Sequence, residues 1–552
     1  MGKNIFKFIF NSNFNFKNAL KNYKLYDTIE DSNLFDEEFY TSKYPDIAIS
    51  NKDPLTHYLF YGYKEGKIPS LDFDSNFYLN AYPDIKEYNI NPLLHYISHG
   101  IEEGRIKQQA LAIRRKEEIC ETNLMLLNNY KFGEEPLVSI IILNLNGLNH
   151  LQRLFKNFNK KTNYNNYEII VIDNGSSDKS VEYLNSLKNE LPIKIIENSE
   201  NVSFSKGNND GAKIAKGEYL LFLNNDIEPT YGWLNEMVGT IVVNEKIAAV
   251  GAKLVFPYYF NEKRSKSFTI QHSGDIFSER MKPCCLYAIN KSSKQLNIFD
   301  KSLNGVNECI SVTGAVMLVK KSIYHEFGGF DEGYNYGLED VDFCLKLNSK
   351  GYKTLYCGSA LLFHHESSTR LKSKSYFEND KRNYEIFWSK WGDYLSKNLL
   401  LDKIHNKKFF TEKQLDICIF DNNYNKNQKF ISSLSKTFNL LGYEVDLITN
   451  MEDYYLGNST DILLSFSLDY DLSRIISRKD LFKICILYEP KSFGDIKELK
   501  DYDMIITSNK EDFDNIQDLL PAVYIPLSSS EEYGVKILDN IETILNDSEG
   551  FI

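Results

Sequence analysis

Leu137-Val-Ser-Ile-Ile-Ile-Leu143 and Tyr167-Glu-Ile-Ile-Val-Ile172 are two continuous apolar runs, rich in β-branched residues, with a polar turn and a helical stretch between them. Runs of this kind are typical of strands that are buried on both faces of a parallel sheet. Two further predicted strands follow at Ile193–Glu197 and Glu218–Leu223. Strands that alternate with helices predict an open α/β sheet, whose ligand sites lie beyond the carboxyl ends of the strands.

A second alternation of strands and helices occupies the C-terminal part of the chain. Its predicted strands are Leu415–Phe420, Tyr443–Thr449, Asp461–Phe466, Phe482–Leu487 and Asp503–Thr507. Helical stretches separate them, so we predict a separate Rossmann-like α/β domain over residues 412–552.

Two copies of a 38-residue unit precede the first sheet. Tyr44-Pro-Asp-Ile47 recurs as Tyr82-Pro-Asp-Ile85, and the register holds without a gap. Each unit predicts a short helix, a proline-containing turn and a second helix that glycine closes. His57 and His95 recur at one position, and we interpret them as structural because everything around them repeats as well. The predicted segments are an N-terminal segment 1–34, the repeats 35–107, a linker helix 108–135, the first α/β domain 136–405 and the C-terminal domain 412–552.

Composition and charge narrow the classes of function. The 552 residues predict three or four domains at roughly 100–200 residues each. A net charge of −12 argues against a general nucleic-acid binder. The eight cysteines include no C-x-x-C pair, which favours reduced thiols over a disulfide framework or a zinc site.

No apolar run approaches the roughly 18 residues that a membrane-spanning helix needs. The apolar stretch at the N-terminus is short and interrupted by Lys7, which argues against a signal peptide. We therefore expect a cytoplasmic protein, with peripheral association at the inner face of the plasma membrane left open.

Polar residues stand where two of the predicted strands end. Asp173-Asn-Gly-Ser-Ser-Asp178 could hold a nucleobase or ribose through its first carboxylate, although the same residues also make an ordinary turn. Asn224-Asn-Asp226 could hold a divalent ion that bridges a diphosphate, which needs only one or two protein carboxylates, or it could be a capped turn.

Acids and histidines gather again further along. Glu339, Asp340 and Asp342 lie within four residues at a predicted helix start, where they either compensate the helix terminus or supply a base. His364 and His365 directly follow an apolar strand. They could be structural groups or, beside a carboxylate, metal ligands.

Taken in order, these motifs resemble those of the family 2 glycosyltransferases, nucleotide-sugar-dependent enzymes of the GT-A fold, which has a Rossmann-like, mostly parallel open sheet. The resemblance covers residues 137–370. The motifs that carry it are Val138-Ser-Ile-Ile-Ile, Val171-Ile-Asp-Asn-Gly-Ser-Ser-Asp, Asn201-Val-Ser-Phe-Ser-Lys-Gly-Asn-Asn209, Phe222-Leu-Asn-Asn-Asp226, Val312-Thr-Gly-Ala, Gly328-Gly-Phe-Asp-Glu, Gly337-Leu-Glu-Asp-Val-Asp and His364.

The resemblance implies a donor site. Asp173 matches the acid that holds the nucleobase in the family. The other residues that the resemblance places at the donor are Asn174, Ser176, Asp178, Asn208, Asn209, Asn225 and Gly314.

The resemblance also implies a metal ion and a base. Asn224-Asn-Asp226 occupies the place of the family's Asp-x-Asp motif, so Asp226, with Asn224 in place of the first acid, would bind Mn²⁺ or Mg²⁺. His364 matches a further metal- or diphosphate-binding residue, and its neighbour His365 is the alternative. Asp340 matches the catalytic base, and Glu339 pairs with it.

The implied reaction is an inverting, metal-dependent transfer of a single sugar from a nucleotide-sugar donor to a hydroxyl of a glycan or lipid-linked glycan, in bacterial surface polysaccharide synthesis. The Gln-x-x-Arg-Trp signature of processive members is absent from the sequence, which favours one sugar per encounter. The 38-residue units resemble repeats found beside such enzymes in surface-glycan synthesis. The C-terminal domain resembles the first half of a GT-B glycosyltransferase, and we interpret it as non-catalytic.

Two alternatives stay open at this point. The first is a catalytically inactive glycan-binding or scaffold protein, which a donor-hydrolysis assay would distinguish. The second is a sugar nucleotidyltransferase, which would need a glycine-rich basic phosphate loop where this chain has Asn144-Leu-Asn-Gly-Leu-Asn149.

Overall fold

The computed structural model describes residues 16–49, 53–257, 268–279, 286–290, 297–365, 375–422, 424–449, 460–466, 481–487, 499–526 and 530–547. The stretch before residue 16 that we weighed as a signal peptide, and the adjacent Cys284 and Cys285, lie outside these residues. The cysteines that the structure describes are all free thiols. Within the described ranges, no helix combines the length and the apolar character needed to cross a membrane.

The α/β class predicted from the sequence is confirmed by a ten-stranded central sheet. Its strands are β1 (Val138–Asn144), β2 (Tyr167–Asp173), β3 (Ile193–Glu197), β4 (Tyr219–Leu223), β5 (Ile227–Pro229), β6 (Ile247–Val255), β7 (Ile270–His272), β10 (Val306–Cys309), β11 (Val316–Lys320) and β12 (Lys353–His364). A separate hairpin consists of β8 (Asp275–Glu279) and β9 (Leu286–Asn290). The strand order is β10-β12-β6-β11-β4-β1-β2-β3, with β5 on β12 and β7 on β6.

The direction of β11 places its first residues at the sheet edge where the parallel strands end. The neighbours β3, β2, β1 and β4 are parallel, as the continuous apolar runs predict. In contrast, β11 lies antiparallel between β4 and β6, and Val316 pairs with Leu223. The amino end of β11 therefore lies beside the carboxyl end of β4.

Helices cover both faces of this sheet, which explains the continuous apolar strands. Ile140 and Ile142 pack in one core with Trp233, whereas the intervening Ile141 packs in another with Phe343. The helices of this part are α9 (Leu148–Leu154), α10 (Phe158–Thr162), α11 (Ser180–Ser186), α12 (Phe204–Ile214), α13 (Trp233–Val242), α14 (Lys321–Glu326) and α15 (Glu339–Ser349), with 3-10 turns at Leu187–Asn189 and Lys301–Leu303.

The two 38-residue units contain matching helices around one aromatic core. In each unit a buried tyrosine hydroxyl lies 3.0 Å from the Nδ1 atom of the repeated histidine, Tyr40 with His57 and Tyr78 with His95. This geometry agrees with a structural part for both histidines. The helices of residues 16–107 are α1 (Phe16–Asp31), α2 (Glu37–Lys43), α3 (Pro45–Ile49), α4 (Pro54–His57), α5 (Ser75–Ala81), α6 (Pro83–Glu87) and α7 (Pro92–His95), with π-helical turns at Tyr58–Gly62 and Tyr96–Gly100.

A second sheet of six parallel strands lies in the C-terminal part, in the order β14-β13-β15-β16-β17-β18. Its strands are β13 (Asp416–Phe420), β14 (Glu444–Ile448), β15 (Ile462–Ser465), β16 (Phe482–Leu487), β17 (Met504–Thr507) and β18 (Ala522–Tyr524). The remaining helices are α8 (Gln109–Leu124), α16 (Ser375–Ile404), α17 (Tyr424–Leu440), α18 (Lys510–Ile516) and α19 (Ser530–Asp547). A buried ion pair of 2.5 Å between Lys403 on α16 and Asp461 attaches this sheet to the long helix.

Candidate active site

The predicted site residues converge at one edge of the central sheet. Asn144 and Asp173 end neighbouring parallel strands and pair in register. At the other end of the row, His364 ends β12 and pairs with Ile227 of β5. The Gly314 amide precedes β11 and contacts Asp340 at the start of α15. Loops that lie far apart in the sequence thus form a single surface.

Asp173 is almost fully buried and its carboxylate is held by three hydrogen bonds. Oδ1 accepts from the Asn144 amide at 2.8 Å and from the Ser176 hydroxyl at 2.7 Å. Oδ2 accepts from the Ser176 backbone N–H at 2.9 Å. A buried carboxylate needs such donors, and together they fix its direction at the strand end.

The turn after Asp173 is tied to the loop after β1. The Asn146 side chain accepts from the backbone N–H groups of Ser177 at 2.8 Å and Asp178 at 3.2 Å. In return, the Leu148 N–H donates to Asp178 at 3.1 Å. Burial opposes ionisation of Asp178, but hydrogen bonds from Ser180 and Leu148 outweigh it and hold its pKa below the usual value. Asp178 therefore fixes the N-terminus of α9.

Two residues predicted at the sugar donor, Asn174 and Asn208, use their side-chain amides for hydrogen bonds within the protein. Asn174 donates to Asn201 at 3.1 Å and accepts from Asn198 at 2.9 Å. Asn208 donates to the carbonyl of Phe204, one turn earlier in α12.

Asn209 makes four hydrogen bonds, which is the full capacity of its amide. It donates to the Phe330 carbonyl at 2.8 Å and to Glu332 at 3.0 Å. It accepts from the Tyr324 hydroxyl at 2.6 Å and from the Phe330 N–H at 3.1 Å. In this structure Asn209 thus anchors the Gly328–Glu332 loop with the whole hydrogen-bonding capacity of its amide. Its place beside the nucleotide sugar, which the family resemblance implies, stays a prediction.

The Asn224-Asn-Asp226 segment brings Asp226 to His364. Oδ1 of Asp226 lies 3.2 Å from Nε2 of His364, and both side chains are largely buried. The Asn225 amide donates to Asn144 at 2.9 Å, which connects this segment to Asp173. For Asn224 the backbone N–H donates to the Ala315 carbonyl at 2.9 Å, so the segment is fixed against β11.

Asp226 and His364 fit a shared divalent ion as two of its ligands. Carboxylate oxygen suits Mg²⁺ and Mn²⁺, and imidazole is a common additional ligand. Among the described residues, no group of three or more His, Cys, Asp or Glu side chains is gathered closely enough to hold a metal ion by itself. The remaining ligands would have to come from outside the protein, such as diphosphate oxygens or water.

His365 belongs to a different cluster, centred on the buried Glu228. Its Nε2 atom lies 3.3 Å from Glu228, which also contacts Lys116 of the linker helix at 2.5 Å and Lys161 at 3.4 Å. Burial opposes ionisation of Glu228, but His365 and the two lysines hold its pKa well below the usual range. Of the two histidines, His364 is therefore the one that faces Asp226.

Asp340 stands at the N-terminus of α15 between two backbone donors. Its Oδ2 atom accepts from Gly314 N–H at 2.8 Å and Oδ1 accepts from Val341 N–H at 2.9 Å. The preceding turn has positive φ angles at Tyr336 and Leu338, which is uncommon outside glycine and often accompanies functional sites. The side chain is partly exposed at the sheet edge, so it remains accessible to a ligand.

The neighbouring acids of α15 are engaged within the protein. Glu339 accepts from the Gly337 N–H at 2.6 Å and is largely buried. Asp342 is fully buried, and it contacts Lys346 at 2.7 Å and the Trp391 indole N–H at 2.9 Å. Of the three acids that the sequence places together, Asp340 is the one that faces the Gly314 turn.

Two residues at this edge, Asn144 and His150, are not among the predicted site residues. Asn144 joins Asp173 to Asn225, and its place at the end of a predicted strand could have identified it. His150 lies near the Asp226 pair; burial lowers its pKa while the charge of Asp226 opposes that shift. Nothing in the sequence around His150 indicates that position.

Residues 139–305 match the model of glycosyl transferase family 2. The chain is 29% identical over 244 residues to protein y4gI of Sinorhizobium fredii, an alignment that covers 43% of this chain and 25% of the relative. It is 29% identical over 247 residues to the O-antigen biosynthesis protein RfbC of Myxococcus xanthus, covering 44% of this chain and 18% of the relative. The chain therefore spans a quarter or less of the length of these relatives.

One similar solved structure is that of GalNAc-T7 with UDP, GalNAc and Mn²⁺. It is 18% identical, covers 49% of this chain and 51% of the other, and has a TM-score of 0.37.

Proposed function

We propose that this chain, which carries a family 2 glycosyltransferase domain, transfers one sugar from a nucleotide-sugar donor to a hydroxyl of a glycan or lipid-linked glycan acceptor, with inversion. The observation that carries the proposal is the convergence of three groups at one sheet edge: the buried Asp173, the Asp226–His364 pair and the accessible Asp340. In the proposed reaction Asp173 would bind the nucleobase, the Asp226–His364 pair would bind the diphosphate through a metal ion, and Asp340 would act on the attacking hydroxyl.

The donor end of the site is built on Asp173 and Asp226. Asp173 would accept hydrogen bonds from the nucleobase, since Asn144 and Ser176 fix its carboxylate at the strand end. Asp226 and His364 would hold Mn²⁺ or Mg²⁺, which supplies positive charge to the diphosphate of the donor. The hydrogen bond between Asn225 and Asn144 sets the spacing between these two subsites.

Asp340 would take the proton from the acceptor hydroxyl. Two backbone N–H groups orient its carboxylate, and each oxygen keeps lone-pair capacity for a further hydrogen bond. A positioned general base typically accelerates a reaction about 10²- to 10⁴-fold. Displacement at the anomeric carbon from the side opposite the leaving diphosphate then gives inversion.

The proposed biological setting is the synthesis of bacterial surface polysaccharide. The name of the Myxococcus relative, an O-antigen biosynthesis protein, supports it through the aligned part of the chain. The repeats and the second sheet would then serve in docking or on the acceptor side of the reaction.

Ligand-dependent stabilisation of the full chain tests the donor assignment. UDP-, GDP-, dTDP- and CMP-sugars are screened by thermal shift with and without Mn²⁺, and a bound donor at 100 times its Kd stabilises the fold by about 2.7 kcal/mol. No stabilisation by any of these donors would contradict the proposal.

The Asp340→Asn variant tests the base with the donor so identified. Transfer should fall by about 10² or more while donor affinity stays near that of the wild type. Glu245→Gln, an exposed acid beside the start of β6 at the opposite edge of the sheet, is the matched control. Near-normal turnover by Asp340→Asn would remove Asp340 from the reaction.

A further inference from the structure

Two titratable side chains, His272 and Asp275, lie near the proposed base Asp340, on the other side of the Thr313–Gly314 turn. The function proposed above assigns them no role. His272 ends β7 and Asp275 begins β8, and their side chains are only 6% and 14% exposed. Nδ1 of His272 lies 3.6 Å from Oδ1 of Asp275. Because burying such groups costs free energy unless they have partners, their contacts indicate what they do.

His272 is a fixed acceptor for two backbone amides. Its Nε2 atom accepts from the N–H groups of Gly274 and Thr313, each at 3.3 Å. A ring nitrogen that accepts carries no proton, so the proton of the neutral ring lies on Nδ1, toward Asp275. Burial, with a smaller contribution from His364, lowers the pKa of His272 to about 3 and keeps the ring neutral at physiological pH.

Asp275 holds the segment that leads into the same turn. The Ser311 hydroxyl donates to its Oδ2 atom at 2.7 Å, and its own backbone N–H donates to the Ser311 carbonyl at 3.0 Å. The titratable groups around it are His272, Asp340 and Cys344. Burial raises the pKa of Asp275 to about 8; the Ser311 hydrogen bond opposes this shift and the charge of Asp340 adds to it.

The turn at Thr313 and Gly314 connects this pair to the proposed base. Its two successive amides face different partners, because Thr313 donates to His272 and Gly314 donates to Asp340 at 2.8 Å. The turn is also tightly packed, since a Cβ atom on residue 314 would lie 3.2 Å from the Phe204 ring. A shift of the turn would therefore move the Asp340 carboxylate.

We propose that His272 and Asp275 are positioning residues, which fix the Thr313–Gly314 turn and thereby orient Asp340 toward the acceptor hydroxyl. The inference rests on the proposed function, in which Asp340 is the base. If the pair only stabilised the fold, its loss would lower stability without a specific effect on turnover. Positioning instead predicts a fall in kcat that is larger than the loss of donor affinity, because the turn contributes only Gly314 to the predicted donor site, whereas Asp173 and Asp226 lie outside the turn.

Kinetics of His272→Ala and Asp275→Ala in the full chain test this prediction. Each should lower kcat about 10- to 100-fold while the KM for the donor changes much less than kcat. Asp275→Asn should keep kcat within about threefold, because an amide of the same shape can keep the hydrogen bond with Ser311 and the packing beside His272. His57→Ala, which removes a buried, hydrogen-bonded histidine from the repeats, is the matched control and should leave kcat unchanged.

Amide hydrogen exchange tests whether His272 holds the Thr313–Gly314 turn, and it does not require turnover. The peptide spanning residues 311–316 should exchange faster in His272→Ala than in wild type or His57→Ala, because the Thr313 amide loses its acceptor. Unchanged protection there, or unchanged kcat in folded His272→Ala and Asp275→Ala, would overturn the inference. If wild type transfers sugar from none of the donors, the proposed function fails, whereas the exchange result still decides whether His272 holds the turn.

Discussion

Replacing Asp275 by asparagine should stabilise the protein, and the gain should grow as the pH rises from about 4 to 8. The pKa of the Asp275 carboxyl is raised from its ordinary 3.8 to about 8, chiefly because it is buried. Over that interval the native state keeps a proton that the unfolded chain has released. The stability that this group contributes is therefore fully present below pH 3.8 and is lost as the pH rises toward 8.

The magnitude follows from the width of this interval. At pH 7 the native carboxyl must hold its proton about 3 pH units above the unfolded value of 3.8. At about 1.4 kcal/mol per unit this costs up to about 4 kcal/mol, and an amide of the same shape does not incur it. Asp275→Asn should thus gain up to about 4 kcal/mol at pH 7 and almost nothing near pH 4.

Thermal unfolding of wild type and variant over this pH range is the assay. The transition to follow is the one that donor or nucleotide shifts, since a chain with several domains need not unfold in two states. Each kcal/mol should move its Tm by about 2–4 °C. Asp210→Asn is the control of opposite sign: burial opposes ionisation of Asp210, but Lys206 and Lys213 outweigh it and hold the pKa below its usual value. That stabilisation is present at neutral pH and is lost as the pH falls, so Asp210→Asn should be destabilised at neutral pH alone.

A Tm difference between Asp275→Asn and wild type that stays constant from pH 4 to pH 8 would refute this reasoning. It would mean that the native carboxyl ionises at its ordinary pKa and that the buried cluster is open to water. A loss of stability that grows with pH would refute it more strongly, because it would show that the charged form is the stabilised one.

Three further predictions concern other parts of the structure. Asp226→Ala should abolish the Mn²⁺-dependent part of nucleotide binding in calorimetry, and an unchanged metal dependence would exclude Asp226 as a ligand. Glu228→Gln should lower the Tm at pH 7 by removing the buried carboxylate that pairs with the partly exposed Lys116 and Lys161. Because the pKa of Glu228 is held well below its usual range, the difference from wild type should shrink as the pH falls below about 4.5, and a difference independent of pH would contradict it. Gly100→Ala should destabilise the repeats by about 1–3 kcal/mol in chemical unfolding, because its Cβ would lie 2.5 Å from the Tyr78 hydroxyl, whereas Gly104→Ala at an open position should cost less through its positive φ alone.

The sequence predicted the α/β architecture because strands that are buried on both faces consist of continuous apolar residues. Strands covered on both faces need continuous apolar runs, and the runs at 137–143 and 167–172 coincide with β1 and β2. The strand-end acids could also be recognised, because a carboxylate at the end of a buried strand is unusual without a function or a cap. Asp173 ends a strand, Asp226 follows one and Asp340 lies at the start of a helix, and all three lie at one edge of the sheet. Their roles stay proposals.

The sequence did not predict which side chains contact each other across the site. His364 and His365 are adjacent and chemically identical, yet one faces Asp226 and the other faces Glu228. The two side chains point in different directions from the end of β12, and β5 supplies a different acid to each. The hydrogen-bond partners of Asn209 were likewise not predictable, because the loop that occupies its whole amide begins about 120 residues later.

By itself the sequence determined the class of fold, the first four strands of the central sheet and the acids that follow predicted strands or begin a predicted helix, since these depend on local pattern and on the burial of each segment. The tertiary structure decided which residues from different strands and loops contact each other. It set the antiparallel direction of β11, the Asp226–His364 contact and the buried His272–Asp275 pair behind Asp340. Hydrogen bonds between residues distant in sequence form only where packing brings them within about 3 Å, and local pattern carries no record of that distance.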